Sequence, residues 1–248
     1  MMVKEKRRLD IALLERGLAS TRARAQAAIK AGHVRVAGEI ATKPADLVAP
    51  EAEISMLAPE HPYVSRGALK LVHALDHFGI DPSGSLCLDL GASTGGFTEV
   101  LLERGVASVV AIDVGHGQLA EKIAQDTRVR AIEGLNAKDI SRDIVPGRID
   151  LIVADLSFIS LEKALPPALA LAERGARLIA LIKPQFEVGP ENVGKGGIVR
   201  EPALHERVCA NIAGWLEKMG WRVEGIVESP IKGGDGNREF LIAACHDR

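Results

Sequence analysis

Downstream of the first sixty residues, short apolar runs alternate with stretches of helical periodicity. "SLCLDL", "SVVAIDV", "RVRAIEG", "IDLIVADL" and "ARLIALIK" are five apolar runs of strand length. Between most of them lie helical patterns: "GGFTEVLLERG", "LEKALPPALALAERG" and, after the last, "PALHERVCANIAGWLEKMG". Such alternation predicts an α/β fold with a doubly wound, parallel sheet. The tail breaks the alternation. "WRVEGIVESPI" and "NREFLIAAC" are strand-like and separated by "KGGDG" with no helix, which predicts an antiparallel hairpin at one sheet edge. Ahead of the first strand, "ALKLVHALDHFG" predicts a helix with Leu69, Val72, Leu75 and Phe78 on its apolar side.

The amino-terminal segment has a different rhythm. "RLDIALLERG" predicts a short helix closed by Gly17. "STRARAQAAIKAG" predicts a second helix, with Ser20 or Thr21 as N-cap, an apolar stripe of Ala23, Ala27, Ala28 and Ile29, and Gly32 as the stop. "HVRVAGEIA" predicts a hairpin around Gly38, and "EISML" a further strand. The proline-containing stretch near residues 57–63 predicts a linker. The chain therefore divides into a small α+β domain at 1–58 and an α/β domain at 59–248.

Charge sharpens this division. Net charge is −2 overall, yet residues 1–43 hold ten Lys/Arg against four Asp/Glu, a net of +6 that leaves −8 on the rest. A basic segment on an acidic body predicts an arm that meets a polyanion. Arg7, Arg8, Arg22, Arg24, Lys30, Arg35 and Lys43 are its candidate phosphate contacts. The string "RLDIALLERGLASTRARAQAAIKAGHVRVAG" resembles the αL-type RNA-binding domain first seen in a small-subunit ribosomal protein, which implies that the helix pair grips RNA backbone. Cys87, Cys209 and Cys245 lie far apart in no ligand spacing, as expected of free thiols in a reducing compartment. No stretch approaches the roughly 20 apolar residues of a membrane span, so a cytoplasmic protein without a membrane partner is expected.

"LDLGASTGGFTEVLL" joins the first long strand to its helix. Gly91, Gly95 and Gly96 let backbone approach a ligand, with helix-start N–H groups nearby. The spacing is not the Gly-x-Gly-x-x-Gly of pyrophosphate binders. Asp89 ends the strand, where a carboxylate would repel a pyrophosphate but suit a ligand carrying an ammonium and a sulfonium. S-adenosyl-L-methionine is the expected cofactor, with Asp89, Gly91, Ser93, Gly95, Gly96 and Phe97 around its methionine part. An NAD-dependent oxidoreductase is disfavoured on the same grounds. Asp113 ends the next strand and is placed to accept from both ribose hydroxyls. Asn136, after the third strand, is a candidate for the adenine edge.

"IALIKPQFE" puts Lys183 where an apolar run stops and a proline follows. Proline cannot continue a ladder and holds its predecessor extended. Lys183 is therefore expected at the carboxyl end of a strand, where open α/β sheets keep their chemistry. Asp155 closes the neighbouring strand in "VADLSF". The whole chain resembles the TlyA (hemolysin A) family of ribosomal-RNA 2′-O-methyltransferases, whose catalytic domain is FtsJ-like, with a Rossmann-like methyltransferase sheet. The contexts "SRGALKL", "VADLSF", "LIKPQFE" and "NREFLI" carry the resemblance. It implies a catalytic tetrad of Lys70, Asp155, Lys183 and Glu239, with Asp155 also near the cofactor. It further implies ribosomal RNA or a ribosomal subunit as partner, with a cytidine as target.

A ribose 2′-hydroxyl must lose a proton as it attacks a sulfonium methyl. Lys183 has two roles open to it, neutral base or cation stabilising the forming alkoxide. No metal is expected, and His73 and His77 are read as helix surface or core. The Gly-rich loop 184–200, with Lys195 and Arg200, is an expected RNA-contacting lid. A non-catalytic RNA-binding protein and a membrane-active hemolysin are the alternatives. The residues do not speak to oligomeric state.

Overall fold

The computed structural model describes residues 6–19, 21–30, 32–57, 62–233 and 236–247. It divides into two compact units, one up to Pro62 and one from Tyr63. The boundary expected at 58/59 lies outside the described residues, as does Ser20, one of the two expected N-caps.

The first unit runs β1 (Arg7–Arg8), α1 (Leu9–Glu15), α2 (Arg22–Lys30), β2 (Val34–Val36), β3 (Glu39–Ile40), β4 (Leu47–Val48) and β5 (Ile54–Met56). Strand β1 pairs antiparallel with β4, and β2 is flanked by β3 and β5. The β2–β3 turn has Ala37 and Gly38 at φ 50° and 85°, the two left-handed residues a tight hairpin needs. Leu9, Leu13, Ala25, Ile29 and Val34 are fully buried and form a small core. The buried side of α2 differs from the expected stripe. Ala25 and Ile29, one turn apart, face inward, whereas Ala23 and Ala27 are exposed. Four alanines in nine residues gave no contrast from which to pick the face.

The second unit is α3 (Gly67–Phe78), β6 (Leu86–Leu90), α4 (Gly96–Glu103), β7 (Ser108–Asp113), α5 (Glu121–Ala124), β8 (Val129–Glu133), β9 (Leu151–Ala154), α6 (Leu161–Ala164), α7 (Pro166–Leu169), β10 (Arg177–Ile182), α8 (Pro202–Lys218), β11 (Trp221–Glu228) and β12 (Phe240–His246). Its seven strands lie in the order β11-β12-β10-β9-β6-β7-β8. Strands β6 to β10 run parallel. The sheet is apolar on both faces because helices cover both. Leu88, Leu90 and Ile152 pack into one layer, and Cys87, Leu151, Val153 and Ile179 into the other. From β6 the chain winds outward to β7 and β8, then returns to lay β9 and β10 on the other side. This reversal opens a crevice at the carboxyl ends of β6 and β9.

Three expectations need correcting. The tail strands do pair antiparallel, but β12 inserts between β10 and β11. The α8 crossover returns β11 in the direction of β10, so only β12 is reversed. The pattern 161–175 holds two short helices rather than one, because Pro166 and Pro167 remove the amide donors that a continuous helix would need. In α3 the buried face is Ala68, Lys70, Leu71, Ala74 and Leu75, while Leu69 and Val72 are half-buried. The small alanines allow the helix to pack closely, and Lys70 lies on the inward side.

Candidate active site

Register builds the site. Ile182 of β10 is paired with Phe240 of β12, so Lys183 and Glu239, one step further along each strand, emerge at the same edge. Ala180 is level with Ala154 of β9, and Asp155 follows Ala154 at once. Leu90 of β6 is level with the same Ala154, which sets Gly91 beside Asp155. Lys183 is extended (φ −110°, ψ 99°) and a 3₁₀ turn starts at Pro184.

Four side chains distant in sequence converge there. Lys70 Nζ donates to Glu239 Oε2 at 2.6 Å and lies 3.9 Å from Asp155 Oδ2. Lys183 Nζ lies 2.7 Å from Asp155 Oδ1 and donates to Ser157 Oγ at 2.7 Å. The Lys183–Asp155 approach is a charge contact off the line of a hydrogen bond, and Asp155 Oδ1 has no aligned donor. Lys70, Lys183 and Glu239 are buried, and Asp155 keeps 21% of its side chain exposed. Asp155 thus bridges two ammonium groups and is the most open of the four. Low dielectric strengthens such pairs and makes each geometry costly to disturb.

The glycine loop lies alongside. Gly91 is left-handed (φ 81°), and a Cβ there would come within 2.5 Å of the Asp155 carbonyl oxygen. Gly95 is left-handed as well (φ 94°) and is packed against Leu119 and Ile123. At Gly96 a Cβ would overlap Ser65 Oγ, so this glycine lets the start of α3 approach the start of α4. Ser93 is left-handed (φ 48°), donates its backbone N–H to Asp113 Oδ2 at 2.8 Å, and bonds Gln118 through its hydroxyl. Phe97 is buried in the core layer behind the loop.

The carboxylates at this edge are treated differently. Asp113 accepts from Ser93 N and from Gly115 N at 2.7 Å. It lines a solvent-open hollow with Ala92, Ser93, Gln118, Ile132 and Glu133. Asp89 is fully buried. Its Oδ2 accepts from Thr98 Oγ1 at 2.5 Å, and its Oδ1 has no partner. Burial pushes its carboxyl up to about 7, against the pull of the Thr98 hydrogen bond. Asn136 does not line the hollow; its Oδ1 accepts from Lys138 N at 3.2 Å and caps the turn Ala137–Asp139. Among the described residues no cluster of His, Cys, Asp and Glu could hold a metal ion. His73 and His77 lie with ring centroids 5.8 Å apart on α3.

In the first unit, Arg8 and Arg22 are not free cations. Both guanidinium groups donate to the buried Asp10 at 3.0 Å, joined by Gln26 Nε2 at 2.8 Å. Arg7 lies 3.9 Å from Glu15. Lys30, Arg35 and Lys43 are exposed, with no ion pair among the described residues. The Arg24 side chain lies outside the described residues. Ser157 and Phe158 belong to the motif context "VADLSF", which gave neither of them a role. Phe158 is 91% exposed with φ 66°, and its ring centroid is 5.2 Å from that of Phe186. Only five phenylalanines occur in the chain, so one directly after a strand-end Asp-Leu-Ser was the available signal.

Comparison with known proteins places both units in known families. Residues 63–245 match the family described as FtsJ-like methyltransferase, and residues 7–54 match the S4 domain. The 16S/23S rRNA (cytidine-2′-O)-methyltransferase TlyA of Mycobacterium tuberculosis is 48% identical over 95% of this chain and 88% of its own length. Hemolysin A of Brachyspira hyodysenteriae is 40% identical over 94% of this chain and 98% of its own. A solved structure from Streptococcus thermophilus, provisionally assigned as a hemolysin, superposes with a TM-score of 0.76 at 39% identity. That match covers 98% of this chain and 89% of the other.

Proposed function

The chain belongs to the FtsJ-like methyltransferase family, and on that premise we propose that it methylates the ribose 2′-oxygen of a cytidine in ribosomal RNA, using S-adenosyl-L-methionine. The observation that carries this reading is the chain of contacts Lys183–Asp155–Lys70–Glu239 beside the glycine loop. The name of the M. tuberculosis relative supports the substrate, and the S4 match supports RNA as the partner.

The residues present fit the cofactor. Asp89 leaves one buried carboxylate oxygen without a donor, as a ligand carrying an ammonium would require. Asp113 presents an anchored carboxylate to the hollow for two ribose hydroxyls. Gly91, Gly95 and Gly96, with the Ser93 backbone, make a close-fitting wall, and Phe97 backs it. When bound, the cofactor supplies an electrophilic methyl group on a positive sulfur.

The remaining work falls to the side chains. Lys183 faces the reacting hydroxyl and takes its proton or holds the alkoxide charge. Asp155 fixes that ammonium, and Ser157 accepts one of its N–H bonds. Glu239 holds Lys70, whose ammonium faces Asp155. Alignment supplies much of the rate, since positioned reactants gain several powers of ten. The exposed Phe158 ring offers a stacking face to a base turned out of its helix. Lys30, Arg35 and Lys43 supply backbone contacts in the first unit. A cytoplasmic location follows from the substrate.

Lys183→Ala tests the assignment. Calorimetric affinity for S-adenosylmethionine stays within about twofold, while methyl incorporation into ribosomal RNA falls by about 10³-fold. Full activity in that variant would refute the tetrad. The hemolysin names on two relatives favour a membrane-active second reading. No helix among the described residues is long and apolar enough to cross a membrane. Leakage of dye from liposomes treated with RNA-free protein would revive it.

A further inference from the structure

We propose that Asn237 is a positioning residue that ties the loop following Lys183 to the turn carrying Glu239, and so keeps both ends of the tetrad in register. The inference deepens the methyl-transfer reading above and rests on it. Asn237 is 1% exposed. Its Oδ1 accepts from Val199 N at 2.9 Å, and its Nδ2 donates to Gly197 O at 2.8 Å. Both partners belong to loop 184–200, which follows Lys183 directly. The same residue faces the other way through its main chain, where its carbonyl accepts from Gly233 N at 2.9 Å. Gly233 is the floor on which Glu239 rests, since a Cβ there would overlap Glu239 Oε1. The other oxygen of Glu239 holds Lys70.

The contacts close a ring. It runs from Lys183 along the loop to Val199, through the Asn237 amide, two residues on to Glu239, then by Lys70 and Asp155 back to Lys183. The loop is shaped to meet the amide. Gly197 N donates to Gly194 O at 3.0 Å, Gly194 N to Ile198 O at 3.1 Å, and His205 Nε2 lies 3.1 Å from Val199 O. Val199 itself is 2% exposed. An amide supplies one acceptor and one donor to a backbone N–H and a backbone C=O. A carboxylate would set charge against the Gly197 carbonyl, and an alkyl group would leave both backbone groups unpaired in a dry site. Among the described residues no hydrogen bond joins Asn237 to a tetrad side chain, so its effect on the chemistry passes through the turn that carries Glu239.

The test is a double-mutant cycle in single-turnover methyl transfer to ribosomal RNA, with the wild type, Asn237→Ala, Glu239→Gln and the double variant. Asn237→Ala is expected to slow transfer about 10- to 100-fold, with S-adenosylmethionine affinity within about twofold. Added to Glu239→Gln, it should cost less than about twofold more, because residues acting through one another are not additive. A wild-type rate in Asn237→Ala, or a loss that multiplies with that of Glu239→Gln, would overturn the inference. If Asn237→Ala does not fold, Asn237→Asp, equal in size but setting a carboxylate in place of the donor to Gly197, is judged by the same two readings. A wild-type protein that transfers no methyl group at all defeats the ribose-methylation reading itself, and this inference with it.

Discussion

Each unit of this chain buries a cluster of opposite charges, and the two clusters are finished to different degrees. Around Asp10, two guanidinium groups and one amide converge on a single buried carboxylate, and both oxygens are satisfied. Around Asp155, two ammonium groups share a half-exposed carboxylate with an oxygen that lacks an aligned donor. Nearby, Asp89 keeps a second unpartnered oxygen. A closed network specifies structure, whereas unmet capacity in a cleft is what a substrate can complete. The contrast marks the Asp10 cluster as structural and the Asp155 cluster as reactive.

The contrast can be broken or sharpened by five measurements. The largest effect is expected at Asp155→Asn, which removes the carboxylate common to both lysines. Transfer rate falls about 10²- to 10³-fold, while cofactor affinity is nearly kept. A comparable loss of cofactor affinity would mean that the cluster serves binding instead. Asp10→Asn is the mirror case. It lowers the melting midpoint of the first unit by about 5–10 °C and leaves the rate of the chemical step untouched in single turnover.

The pH dependence of that first unit has a definite sign. The hydrogen bond from Arg8 holds the Asp10 carboxyl well below the usual range, with Gln26 and Arg22 adding to the effect. Its contribution is present above about pH 4, the unfolded value, and is lost as pH falls through the lower folded value. Thermal melts from pH 7 to pH 2 check this, and Asp10→Asn should flatten the loss.

Asp89 behaves in the opposite sense. Burial raises its carboxyl to about 7, so the folded protein without cofactor holds a proton there that the unfolded chain loses near pH 4. That preference favours the folded state below about pH 4 and is lost as pH rises through 7. A ligand ammonium requires the ionised form. Cofactor affinity should therefore rise about tenfold from pH 6 to pH 7.5 and level off above. Asp89→Asn should bind weakly with no such slope; an unchanged slope would remove Asp89 from the site. The smallest effect is expected from Arg35→Ala, which weakens RNA binding a few-fold and reduces the salt slope by about 1. Filter binding across salt concentrations measures it.

The sequence made the sheet edge legible because strand ends carry strong local signals. Asp113 and Asp155 close apolar runs, Asp89 stands one residue before the end of its strand, and Pro184 marks where Lys183 leaves its own. Lys70 and Glu239 had no such mark. A lysine on an amphipathic helix reads as surface, and only the resemblance drew it inward; the alanines that bring α3 close explain why it is buried. Asn237, Ser157 and Phe158 lie within the motif contexts, yet their roles were not legible for another reason. Their roles depend on which loop closes against them, and Asn237 meets a partner 38 residues away. Arg8 and Arg22 were read as phosphate contacts because charge counts do not reveal a buried Asp10 between them. The paired strands at the tail were foreseen, but their order was not. Pairing is local, whereas insertion of β12 beside β10 depends on the α8 crossover.

The most direct measurement is nucleoside mass spectrometry of ribosomal RNA incubated with S-adenosylmethionine and either the wild-type protein or Lys183→Ala. The account predicts 2′-O-methylcytidine with the wild type and none above background with the variant. A methyl group found on a base, or equal ribose methylation by both proteins, would contradict it.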